Sequence, residues 1–292
     1  MKREKDILQG NQVRITDKEF LHLGEFIHRE YGIKMPPVKK IMLESRLQKR
    51  LKTLGMKSFS EYSKYLFSKE GIRDELIHMV DMVTTNKTDF FRESQHFSYL
   101  TSHAIPELAA EYGAGYRRPL KLWSAGCSSG EEPYTLAMVL ADYATMNEGF
   151  RFEILASDIS SRMLEHASRA IYDESKVAPV PVMMKKRYLL RSKDRDKGLV
   201  RIVPELRAMV SFRRINFMEG DFGLRELMDI VFCRNVIIYF DKPTQERLLN
   251  RLASHIAPGG FIFMGHSETL SGLNVPLRPV APTVYRKPFQ GE

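Results

Sequence analysis

The stretch Leu120–Tyr134, LKLWSAGCSSGEEPY, restricts the possible folds of this chain more than any other. An apolar run (Leu120, Leu122, Trp123, Ala125) stops at the small-residue turn Gly126-Cys127-Ser128-Ser129-Gly130, and a helical pattern follows through Leu136, Met138, Val139 and Leu140. Strand, tight turn and helix in that order place backbone N–H groups and a helix N-terminus around a ligand at the top of a sheet. A phosphate-binding turn favours glycines and a lysine. Here the helix opens with Glu131 and Glu132, which repel pyrophosphate and suit a cationic ligand or one with an ammonium group.

The surrounding pattern alternates strand and helix, which predicts a parallel α/β sheet. Phe152–Asp158 reads as a strand ending in an acid, Ser160–Ile171 as a helix, and Met228–Asn235 as a buried strand ending in polar residues. Lys242–Ile256 reads as a helix with Pro243 in its first turn, and Pro258-Gly259-Gly260 turns into a strand over Phe261–Gly265. Between Tyr172 and Val210 the rhythm breaks, and the interval reads as a helix plus a small antiparallel β insertion; loops of that length are seldom idle.

Residues 1–85 read as helices only, a small N-terminal domain. Asp17–Glu30, Val38–Leu54, Ser58–Phe67 and Glu75–Val83 each carry apolar residues at helical spacing, with Pro36-Pro37 as a break. The connector Thr84–Arg92 is polar and then aromatic, and a helix is expected near His96–Ala110.

No apolar run among the 292 residues approaches the roughly 18–20 of a membrane span. The charged start Met1–Asp6 has no apolar core behind it, so no secretory signal is expected. Cys127 and Cys233 are the two cysteines, which points to a reducing, cytoplasmic setting. The net charge is +9, and residues 1–70 hold 16 Lys and Arg against 9 Asp and Glu, which suggests a polyanionic partner.

In a doubly wound sheet, ligands sit above the carboxyl ends of the strands, where Gly126–Glu131, Asp158, Asn216 and Arg234-Asn235 are expected to converge. Asp158 suits two ribose hydroxyls by position, the reading preferred over a helix N-cap acid. Glu131 and Glu132 suit a cation or simply complement a helix dipole. Arg234 is costly to bury unless paired or facing a cleft, and Tyr239 lies near the same crevice or packs in the core. The eight histidines show no ligand spacing, so no metal is expected. Cys127 reads as a small buried thiol.

Five segments in order, TTNKTDFFRE at Thr84–Glu93, WSAGCSSGEEPYT at Trp123–Thr135, ASDIS at Ala156–Ser160, FCRNVIIYFD at Phe232–Asp241 and GHSE at Gly265–Glu268, resemble the chemotaxis-receptor glutamate methyltransferases, the CheR family. The resemblance runs from about Phe20 to about Tyr285. It implies a class I, Rossmann-like S-adenosylmethionine-dependent methyltransferase domain over 96–292, with a β insertion at about 173–212. The connector at 86–95 then contributes to the site. It further implies methyl transfer from S-adenosylmethionine to receptor glutamates, with S-adenosylhomocysteine as product. Asn86, Thr88, Arg92, Glu131, Asp158, Asn216, Phe217, Arg234 and Asn235 are then expected at the cofactor, with Arg92 and Tyr239 at the transferring methyl. Lys39, Arg46, Lys49 and Arg50 are expected to steer a glutamate-rich receptor helix. The expected partner is the cytoplasmic helical domain of transmembrane chemoreceptors, met by a monomer with no nucleic acid and no membrane insertion. Two other readings are an RNA methyltransferase and a non-catalytic cofactor-binding signalling module; a nicotinamide dehydrogenase fits least, because GxGxxG is missing.

Overall fold

The structure is a computed structural model and describes residues 13–289; the charged start Met1–Asp6 lies outside the described residues. The chain divides into two compact units, Met1–Thr85 and Asn86–Glu292.

The first unit is helical. Helix α1 (Asp17–Tyr31) starts where the Thr16 hydroxyl accepts from the Glu19 N–H while the Glu19 carboxylate accepts from the Thr16 N–H, and it ends at Gly32 with φ +71°. A 3₁₀ turn over Pro37–Lys39 leads into α2 (Lys40–Leu54), followed by α3 (Phe59–Leu66), α4 (Lys69–Asp74) and α5 (Leu76–Val83). The single helix expected over Val38–Leu54 is thus split, because Pro37 sets the tighter first turn. Helix α4 is an addition to the expected elements; with six residues it is too short to show a helical repeat. Its Gly71 packs so closely that a Cβ there would lie 1.9 Å from the Tyr65 carbonyl oxygen. Leu23 and Ile27 of α1, Leu43 and Leu47 of α2, Phe59 and Tyr62 of α3 and Met79 of α5 are fully buried.

Two of the basic residues read as a partner surface have other duties inside this unit. The guanidinium of Arg50 forks onto the carboxylate of Glu75, buried to 1% exposure, at 2.9 and 2.6 Å, and the Tyr62 hydroxyl donates to the same carboxylate at 3.0 Å. Arg46 donates to the carbonyls of Val83 and Thr84 at 2.7 and 3.0 Å, where α5 ends. Both arginines therefore tie α2 to neighbouring chain. Lys39 donates to the Lys34 carbonyl, and Lys49 remains exposed on α2.

The second unit opens with α6 (Gln95–Tyr99), a π-helical turn over Leu100–Ala104 and α7 (Ile105–Tyr112). The elements β1 (Leu120–Ala125), α8 (Glu131–Met146), β2 (Phe152–Asp158) and α9 (Ser161–Arg169) follow. The insertion contains β3 (Ile171–Asp173), α10 (Val182–Tyr188), β4 (Leu189–Arg191) and β5 (Leu199–Ile202), a separate antiparallel sheet in the order β3-β5-β4. After α11 (Pro204–Ala208) come β6 (Val210–Arg214), β7 (Met228–Cys233), α12 (Lys242–Ser254), β8 (Ile256–Met264), β9 (Arg278–Ala281) and β10 (Val284–Arg286).

The main sheet has the order β6-β2-β1-β7-β8-β10-β9, and its first five strands run parallel. Val210–Phe212, expected inside the insertion, instead pairs with Ile154–Ala156 of β2 and belongs to the main sheet. The antiparallel pair β9–β10 closes the other side. These strands have four and three residues, too few to show an alternating pattern against the surrounding loop. All six residues of β7 are buried, as suits a strand covered on both faces. Asp229 within β7 is tolerated because Arg118 meets it with two bonds, at 2.6 and 2.5 Å, and the Lys121 N–H donates to it at 2.9 Å. This pair lies near the amino ends of β1 and β7, away from the turns at their carboxyl ends.

Candidate active site

The turn after β1 is built to close tightly. Gly126 has φ +88°, and a Cβ there would lie 2.5 Å from Val236 Cγ2; Gly130 has φ +96°, and a Cβ would lie 2.8 Å from both Ala167 and the Tyr172 hydroxyl. Both positions thus require glycine for backbone freedom and for space. The N–H groups of Gly126 and Cys127 donate to the Ser157 carbonyl, each at 2.8 Å. Ser128 takes a left-handed conformation, φ +49°, which turns its N–H onto Asp158 Oδ2 at 2.8 Å. Asp158 Oδ1 accepts from the Ser160 N–H at 2.9 Å. The N-cap of α9 is Ser160, whose hydroxyl accepts from Met163, so the N-cap reading of Asp158 is replaced by a carboxylate that bridges two loops.

Two glutamates follow in α8 with different surroundings. Glu131 is buried and accepts from the Ser129 hydroxyl at 2.7 Å. Burial pushes its carboxyl above the ordinary glutamate value, with Ser129 only partly countering it. Such a carboxylate gains from a cation placed beside it. Glu132 accepts from the Ser124 hydroxyl at 2.7 Å and faces Arg234 at 3.6 Å. Burial raises its carboxyl as well, and Arg234 opposes the rise.

The connector packs onto this turn. The Asn86 carbonyl accepts from the Ser128 hydroxyl at 3.0 Å, and the Phe91 N–H donates to the Thr135 hydroxyl at 3.2 Å. Phe91 and Glu93 both have φ +55°, so two left-handed residues flank Arg92. Such backbone costs about 1–3 kcal/mol per residue and persists only where its surroundings enforce it. The Arg92 side chain is half-buried and donates to the Lys87 carbonyl.

The turn after β7 is braced by Glu268. Its buried carboxylate accepts from the N–H groups of Asn235 at 2.8 Å, Ile237 at 2.9 Å and Gly265 at 2.7 Å. Asn235 is left-handed, φ +58°, and a Cβ on Gly265 would lie 2.5 Å from Asn235 Nδ2. Tyr239 follows on the 3₁₀ turn Ile237–Tyr239, half-buried.

Hydrogen bonds thus join Asn86 and Asp158 through Ser128, and Arg92 to Arg234, within one unit. Asn216 accepts from the Met218 N–H, one residue beyond Ile215, whose own N–H donates to the Asp158 carbonyl. Phe217 lies edge-on to Trp123 and Phe222. Arg234, expected to line the cofactor, is 2% exposed in its side chain and is committed to Glu93, Glu132 and the Arg92 carbonyl. Lys39, Arg46, Lys49 and Arg50 belong to the other unit. Glu93, Ser128 and Glu268 hold the site together without any local signal of that role, although each stands inside one of the five segments. Their roles depend on partners 30 or more positions away in most cases, which spacing does not reveal.

Glu93, His96 and His266 bring three potential metal-ligand atoms within 4.8 Å of one another. The histidines are 170 positions apart, so no ligand spacing could announce them. The Thr283 hydroxyl donates to the Pro282 carbonyl, so the bond of 2.8 Å between His96 Nε2 and Thr283 Oγ1 is donated by Nε2. Burial and the neighbouring Arg234 push the His96 value down to about 4, so its ring is neutral at neutral pH. Arg234 lies 3.2 Å from Glu93 Oε2 and supplies the positive charge at this cluster.

A mixed sheet in this order with a parallel core, an acid-opened turn after its β1 and a second acid at the end of β2 defines a class I methyltransferase that uses S-adenosylmethionine. The comparisons with known proteins give the family. Residues 86–285 match the CheR methyltransferase SAM-binding domain and residues 18–84 match the CheR methyltransferase all-alpha domain; the chain belongs to the CheR methyltransferase family. It is 39% identical over 276 residues to a chemotaxis protein methyltransferase of Borreliella burgdorferi, covering 94% of this chain and 96% of that one. It is also 39% identical over 277 residues to chemotaxis protein methyltransferase 2 of Pseudomonas aeruginosa, covering 94% and 95%. Against a chemotaxis protein methyltransferase of Salmonella typhimurium the identity is 37% over 268 residues, covering 91% and 89%.

The residues present suit this cofactor. Glu131 is a buried carboxylate that favours a cation, and Asp158 is an acid at the end of β2 whose position suits ribose hydroxyls. No helix among the described residues is long and apolar enough to cross a membrane.

Proposed function

We propose that this chain esterifies the side-chain carboxylates of specific glutamates on the cytoplasmic helical domain of chemotaxis receptors. The observation that carries the reading is the pair of buried acids, Glu131 at the start of α8 and Asp158 at the end of β2, the second fastened to the turn after β1 by the Ser128 N–H. They fit an ammonium-bearing sulfonium donor, and the relatives that match along nearly the whole chain are named for methylation in chemotaxis.

Bound S-adenosylmethionine supplies an electrophilic methyl on a positively charged sulfur. In our reading Glu131 holds its ammonium, Asp158 takes the ribose hydroxyls, and Asn86, Thr88, Asn216, Phe217 and Asn235 line the remainder. A substrate glutamate has an ordinary pKa of about 4.3, so it arrives ionised at neutral pH and needs no general base. The neutral His96 ring, already bonded to Thr283, is accordingly left out of proton transfer. Arg92 orients the incoming carboxylate and Tyr239 flanks the reacting centre. Alignment of the two reactants and exclusion of water then provide the acceleration, up to roughly 7–11 kcal/mol in ideal intramolecular cases.

Receptor steering falls to Lys49, exposed on α2, with half-buried Lys39 on the 3₁₀ turn before that helix. Arg46 and Arg50 are removed from that duty by their bonds inside the first unit.

The test is transfer of tritiated methyl to receptor-containing membranes, followed by mild alkali. Label that leaves as methanol supports the ester. Label that resists alkali and resides on RNA would overturn it in favour of nucleic-acid methylation. Cofactor binding without transfer to any receptor fraction would favour a signalling module.

A further inference from the structure

Arg234 sits at the centre of a cluster that the reaction chemistry does not itself require. Its guanidinium donates to the Arg92 carbonyl, lies 3.2 Å from Glu93 Oε2 and 3.6 Å from Glu132 Oε2, and is seated 5.6 Å from the centre of the Phe97 ring. Glu93 Oε1 in turn accepts from the His266 N–H at 3.2 Å. One arginine therefore joins the connector, the start of α8 and the end of β7. The turn it grips is the one in which Phe91 and Glu93 are both left-handed. Nothing in the local sequence favours that backbone, since neither residue is glycine or asparagine.

We propose that Arg234 is a positioning residue. With Glu93 it holds the turn Phe91–Glu93 in its strained conformation, so that the Arg92 side chain is presented to the incoming carboxylate, and it makes no contact with the substrate itself. This rests on the reading of Arg92 as the group that orients the substrate.

The geometry supports positioning over ligand binding. The side chain of Arg234 is 2% exposed and that of Glu93 10%, whereas that of Arg92 is 34% exposed. The two arginines thus divide the work: the buried one grips the backbone of the other. Glu93 is matched to this role, because burial raises its carboxyl while Arg234 and the His266 N–H more than offset the rise and keep it ionised. A metal ion shared with His96 and His266 would compete with the guanidinium for the same carboxylate.

The test is a mutant cycle on the full chain with Arg92→Ala, Arg234→Met and the double substitution. Receptor methylation is read as kcat and KM, and amide hydrogen exchange is followed at Phe91–Glu93. Arg234→Met is expected to lower kcat by about a hundredfold, and the double variant is expected to match Arg92→Ala alone. Exchange at Arg92 and Glu93 is expected to rise sharply while the strands β1 and β7 keep their protection. Multiplicative losses in the double variant, or unchanged exchange in the turn, would overturn the proposal. If Arg234→Met does not fold, Glu93→Gln gives the same readings, since it removes the ion pair and keeps an acceptor for His266. The exchange data judge the grip without turnover. Full activity in Arg92→Ala would therefore reject the role given to Arg92, while unchanged exchange would reject the grip.

Discussion

The N–H of Ser128 donates to Asp158 Oδ2 at 2.8 Å, fastening the acid that ends β2 to the turn that ends β1. The two are 30 positions apart, and the left-handed backbone of Ser128 is what aims the bond. Asp158 is thereby oriented before any cofactor arrives. Asp158→Ala should weaken S-adenosylhomocysteine binding by about 2 kcal/mol, roughly thirtyfold, through loss of charged hydrogen bonds. Calorimetry on the wild type and the variant checks this, with intact thermal unfolding as the control for the fold.

On the role proposed for Glu131, the cofactor affinity should depend on pH. Burial raises its carboxyl above the ordinary 4.5, so in the free protein it ionises later than an exposed glutamate. A bound ammonium favours the ionised form, and binding therefore releases a proton across that window. Affinity should rise as pH climbs from 4.5 through the raised value, then level off. Glu131→Gln should bind weakly and lose most of this slope. Calorimetry in buffers of different ionisation heat reads the released proton directly. Stability takes the opposite sign: an acid raised in the folded state makes folding less favourable as pH rises through the same window.

Asp229 marks the structural end of the sheet. Its carboxylate is 1% exposed and receives two bonds from Arg118 and one from the Lys121 N–H. Asp229→Ala should destabilise the second unit by about 1–3 kcal/mol, because it leaves the Lys121 N–H without its acceptor and removes the partner of the half-exposed Arg118. Thermal unfolding followed by circular dichroism checks the loss. Cofactor affinity measured well below the unfolding transition should stay near the wild-type value.

The two kinds of basic residue on α2 should respond differently to charge reversal. Arg50→Glu would set a carboxylate against the buried Glu75 and should disrupt the helical unit, visible as a lost or lowered unfolding transition. Lys49→Glu changes an exposed side chain and should leave folding intact. It should raise the apparent receptor KM several-fold, more at low salt than at high, with cofactor affinity unchanged. Equal receptor kinetics for Lys49→Glu and the wild type would remove α2 from the proposed steering surface.

Glu268 should matter through the turn it braces. Glu268→Gln would turn an amide N–H₂ toward one of the three N–H donors it now satisfies. Slower turnover, with faster amide exchange at Asn235 and Ile237, is the expected result.

The linear order of residues determined the succession of strands and helices around β1, because a buried parallel strand and an amphipathic helix each write a short-range apolar pattern. It also determined the chemical character of the first turn, since Gly126, Gly130 and Glu131 lie within six positions. It left Asp158 between two roles, and the structure gave that carboxylate to Ser128 and Ser160 while Ser160 itself capped α9. The short elements α4, β9 and β10 stayed unread because three to six residues carry too little periodicity. Only the tertiary structure decided the work of the arginines. An isolated Arg46, Arg50 or Arg234 looks the same in a sequence whether it faces a partner, a ligand or a buried glutamate. The choice is set by which carboxylates and carbonyls folding brings within 4 Å, and for Arg50 and Arg234 those are Glu75 and Glu93, 25 and 141 positions away.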